Sequence, residues 1–71
     1  MTPHEIARIQ KYLRSTFDNN RFSVKQMKSD PDAVEVYLGE EFLGVIYRDD
    51  EEGELSYALQ IAILEMDLPE L

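Results

Sequence analysis

The sequence predicts an α+β domain in which an N-terminal helix packs on a four-stranded antiparallel sheet, in the order α-β-β-β-β. Three observations predict it. The first apolar residues recur at helical spacing, whereas from Arg21 onward they alternate. Turn chemistry at "DNN", "KSDPD", "GEE" and "EEG" separates the alternating runs at short intervals. Hydrophobic residues make up 44% of only 71, enough for one core and too many for a disordered chain.

The helix, expected over about residues 3–17, opens on "TPHE". Thr2 suits the cap, Pro3 the first helical position, and Glu5 the carboxylate of a capping box. Ile6, Ile9, Leu13 and Phe17 fall on one face, and Arg8, Lys11 and Arg14 on others. Asp18–Asn20 end it. A first strand, about 21–27, carries Phe22 and Val24 on one side.

Strands over about 33–38 and 42–48 then form a hairpin around "GEE". With Leu38 opposite Leu43, Val36 faces Val45 and Val34 faces Tyr47, so all six share one face. Tyr37 then lies across from Gly44, where an absent side chain leaves room for a ring. The segment 55–65 alternates, with Leu55, Tyr57, Leu59, Ile61 and Ile63 on one face, and predicts a fourth strand before a tail, 66–71. A helix there would give α-β-β-β-α, the layout of double-stranded-RNA-binding domains, although the charge opposes that function.

Charge and composition exclude several functions. Net charge is −8, divided unevenly: residues 1–28 carry six bases and two acids (+4), and residues 29–71 carry Arg48 and 13 acids (−12). Nucleic acid is therefore disfavoured as a partner. The basic set Arg8, Lys11, Arg14, Arg21, Lys25 and Lys28 reads as a solvated face before it reads as an anion site. The N-terminus has no signal-peptide core, and no apolar run approaches the ~20 residues that cross a bilayer, so a cytoplasmic protein without membrane association is expected.

No catalytic, cofactor-binding or metal-ligating residues are expected. His4 is the only histidine and there is no cysteine, which precludes a zinc site of standard composition within one chain. The four serines lack a neighbouring base, and Gly39, Gly44 and Gly53 are too scattered to cradle a phosphate. The acidic loop Asp49, Asp50, Glu51 and Glu52 is the most conspicuous candidate for chemistry. Its acids are consecutive, however, whereas a calcium loop needs alternating ligands. Pairing Tyr47 with Leu55 makes residues 49–53 a hairpin connection with Gly53 at positive φ.

The strings "TPHEIARIQKYLR", "AVEVYLGEEFLGVIYRDDEEGELSY" and "LQIAILEMDL" resemble a small alphaproteobacterial family of unknown function. The "GEEFLGV" to "EEGELSY" region carries most of the resemblance. Val34 stands as an extra residue, and Glu52 occupies a place where aspartate is expected. The resemblance implies one compact domain and a bacterial cytoplasmic setting, with no functional residues to transfer.

Function must therefore be sought on spare surface. A single helix covers one side of a sheet, which leaves Tyr37, Phe42, Ile46 and Leu64 on the other as a candidate partner-binding patch. The alternative is that Met66 and Leu68 of the tail cover them. The leading expectation is a small interaction protein, a homodimer or one bound to a protein partner. The runner-up is an acidic regulator that uses Asp49–Glu52 to occupy a basic, nucleic-acid-binding surface; binding of nucleic acid by the basic helix ranks third.

Overall fold

The computed structural model describes residues 1–51 and 53–71, so Glu52 of the acidic loop lies outside the described residues. Helix α1 spans Pro3–Thr16 and is followed by β1 (Phe22–Gln26), β2 (Ala33–Leu38), β3 (Glu41–Asp49) and β4 (Ser56–Gln60). A short 3₁₀ turn occupies Glu65–Asp67. The strands form one antiparallel sheet in the order β1-β2-β3-β4, so the α-β-β-β-β architecture stands.

Each end of α1 has a local cause. The Thr2 hydroxyl accepts from the Glu5 N–H (3.1 Å), and Glu5 Oε1 accepts from the Thr2 N–H (3.0 Å), which closes the capping box. At the C-terminus Asp18 adopts φ 50°, while the N–H of Asn19 bonds the Arg14 carbonyl and that of Asp18 the Ser15 carbonyl. This pair of bonds is a Schellman ending. Phe17 thus leaves the helical stripe. It stands 56% exposed, with its ring 5.4 Å from that of Phe22.

The core comprises Ile9 and Leu13 from α1 with Phe22, Val24, Val34, Val36 and Ile46 from the sheet. Ile46 here corrects the sequence reading, which placed it on the opposite face. A two-residue loop, Gly39–Glu40, sets Leu38 against Glu41, and Gly39 has the positive φ (64°) that such a loop takes at its first position. A bulge at Leu43 then brings Gly44 opposite Val36 and Ile46 opposite Val34. The expected register is one residue away, and that slip exchanges the faces of β3. Val45 and Tyr47 turn to the back of the sheet, and Ile46 turns inward.

Gly44 likewise does not make room for Tyr37. A Cβ there would collide with the Gln60 carbonyl oxygen and approach Ile61 Cγ1 at 3.2 Å. Its bareness lets the end of β4 approach β3 closely. The fourth strand is shorter than expected, because pairing ends at Val45 with Gln60, beside the bulge. Ile61–Leu64 continue without a ladder. On the other side β3 extends to Asp49, which pairs with Ser56, while Arg48 pairs with Tyr57. The β3–β4 connection is therefore 50–55 rather than 49–53, and Tyr47 lies opposite Ala58, not Leu55. Gly53 has the expected positive φ, 76°.

Candidate functional site

Helix α1 lies toward one edge of the sheet. Gln10 Oε1 accepts from the Val24 N–H (3.1 Å), and Arg14 Nε donates to the Phe22 carbonyl (2.8 Å). These two side chains satisfy backbone groups of edge strand β1 and blunt that edge. Displacement toward β1 leaves the inner face of β3 and β4 only partly covered. A groove of about 570 Å³ opens there. Ile9, Leu13, Ile46 and Leu59 form its floor, and Tyr12, Phe17, Leu55 and Tyr57 stand around it.

A polar tie closes one end of the groove. Glu5 Oε2 accepts from the Tyr57 hydroxyl (2.7 Å) and from Arg48 Nε (3.1 Å), while Arg48 Nη1 pairs with Asp50 (3.3 Å). The Thr2 N–H, the Tyr57 hydroxyl and the Arg48 charge together hold the Glu5 carboxyl down to about 2. Tyr57 moves the other way, because its proton is held by the Glu5 carboxylate and partial burial disfavours the phenolate. Burial opposes the Arg48 charge, but Glu5 and Asp50 outweigh it and raise its pKa. The acid is thus fixed ionised and the phenol fixed protonated. Such a pair is suited to tying helix to sheet and poorly suited to exchanging protons near neutrality.

Of the four proposed patch residues, Tyr37 and Phe42 come together, and Ile46 and Leu64 lie elsewhere. Tyr37 and Phe42 pair edge to face on the back of the sheet, 5.7 Å between centroids, with Lys25 Nζ 4.9 Å from the Tyr37 centroid. Ile46 is 4% exposed in the core, and Leu64 is 52% exposed in the tail. Met66 and Leu68, the tail residues offered as their cover, are themselves 86% and 55% exposed. In the acidic loop Asp49 belongs to β3 and accepts from the Glu51 N–H (3.1 Å), while Asp50 is committed to Arg48. Among the described residues no three of His, Cys, Asp and Glu are grouped as metal ligands, and no helix is long and apolar enough to cross a membrane.

Sequence reasoning missed both the groove and the tie. Glu5 lies 43 and 52 positions from Arg48 and Tyr57, and its capping role already accounted for it. One signal pointed toward the tie: Arg48 is the only base after Lys28. A family model described as a protein of unknown function (DUF3126) matches residues 5–67, from the first turn of α1 to the end of the 3₁₀ turn. No curated protein and no solved structure matches.

Proposed function

The chain belongs to the DUF3126 family of unknown function, and from the surface it presents we propose that it is a small, non-enzymatic interaction module that self-associates. One observation carries this reading. Of the twelve large hydrophobic residues left exposed among the described residues, four (Tyr12, Phe17, Leu55 and Tyr57) stand around the groove and six belong to residues 61–71. Only Phe42 and Tyr47 lie on the back of the sheet. Apolar surface gathered in this way is characteristic of contact sites. The binding surface is therefore assigned to the groove side rather than to the Tyr37–Phe42 face. The fixed protonation states of Glu5 and Tyr57 support a role in binding over one in catalysis.

Sedimentation equilibrium of the full chain tests the proposal. The mass should rise above the 8.3 kDa of one chain as concentration increases. Tyr12→Glu, at a residue 65% exposed in the single chain, should lower association by about tenfold or more without unfolding it. A mass of 8.3 kDa at every concentration up to the high micromolar range would overturn self-association.

A further inference from the structure

We propose that residues 61–71 form an arm that docks in the groove of a second copy of the chain, so that two copies exchange arms reciprocally. This inference deepens the self-association reading and rests on it. Every residue of the arm is exposed, including Ile63 at 73% and Met66 at 86%. The groove's lining comes from α1, Phe17, β3 and residues 55–59, with nothing from the arm of its own chain. The same protein therefore holds an apolar segment that stays at least 46% exposed at each large hydrophobic side chain and an apolar bed that this segment does not line.

Charge and length identify the occupant as this arm. It carries Glu65, Asp67 and Glu70 and no base. Arg8 lines the groove, Lys11 follows it on α1, and among the described residues neither pairs with a carboxylate. Glu5 also lines the groove but is committed to Arg48 and Tyr57, so the unpaired charge an acidic, apolar arm would meet there is that of Arg8. Eleven extended residues reach at most ~36–40 Å, whereas a 14-residue helix is ~21 Å long, so the arm can run the length of the groove. The arm starts where Gln60 and Ile61 approach Gly44, and the molecule measures 44 Å along its long axis against 24 and 23 Å across. Reciprocal exchange uses the same two surfaces on each copy and closes as a two-fold dimer.

Sedimentation equilibrium with charge-exchanged variants distinguishes this arrangement from others. Arg8→Glu alone and Glu65→Lys/Asp67→Lys alone should each weaken association by about tenfold. An equimolar mixture of the two should recover it, because each groove then meets an arm of opposite charge. Failure of the mixture to associate better than its components overturns docking in trans. Ile63→Asp/Met66→Asp, at positions exposed in one chain, should give a folded monomer by circular dichroism and mass. A dimer unaffected by that pair overturns the arm's role and leaves self-association standing. A wild-type chain that stays monomeric throughout overturns both.

Discussion

Glu5 joins helix to sheet through a single carboxylate, with one oxygen in the helix cap and the other held by Tyr57 and Arg48. Its carboxyl titrates near 2 when folded, against an ordinary 4.5. The unfolded chain therefore binds more protons within that window, and stability falls as pH drops through it; above 4.5 the contribution is complete. Glu5→Gln retains a residue suited to the capping box but loses the charge. Thermal melts between pH 7 and pH 3 should show a smaller acid loss for this variant than for the wild type. Equal losses would mean that the tie does not form. At Gly44 the expectation concerns space: Gly44→Ala places a methyl against the Gln60 carbonyl and should cost about 1–3 kcal/mol in urea unfolding. An unchanged midpoint would show that Gln60 does not approach that closely.

At the scale of elements, legibility followed the range of the cause. Helix α1 was readable because its period, Thr2, Pro3 and Glu5 are all local signals, and the capping box formed as expected. The strand order followed from short turns between neighbours. The register of β3 was not readable from pattern alone. Leu43, Val45 and Tyr47 are as apolar as Phe42, Gly44 and Ile46 are in sum, so either face could turn inward. The two-residue loop and the Leu43 bulge decided between them, and Gly44, read as space for a ring, instead lets the Gln60–Ile61 segment approach closely. The end of β4 was hidden for the same reason. Alternation continues to Ile63, but the bulge on β3 takes away the partner. The groove was invisible because it depends on where α1 sits, which Gln10 and Arg14 fix through backbone groups of β1.

For the whole molecule the deciding quantity is how little it buries alone. Val34 and Val36 are the largest side chains fully removed from solvent, and the helix covers the β1–β2 half of the sheet better than the β3–β4 half. Domains of this size have small stability margins, so apolar surface removed by a second copy is a sizeable fraction of the total. If association involves the folded state only, mass action makes the melting temperature depend on protein concentration. For a dimer of chains this short, each tenfold increase should raise it by about 3–5 °C. Tyr12→Glu and Ile63→Asp/Met66→Asp should both flatten that dependence, because they remove opposite halves of one contact. Differential scanning calorimetry across two decades of concentration measures all three proteins in one format. A wild-type melting temperature independent of concentration would place the source of stability within the single chain and count against the dimer.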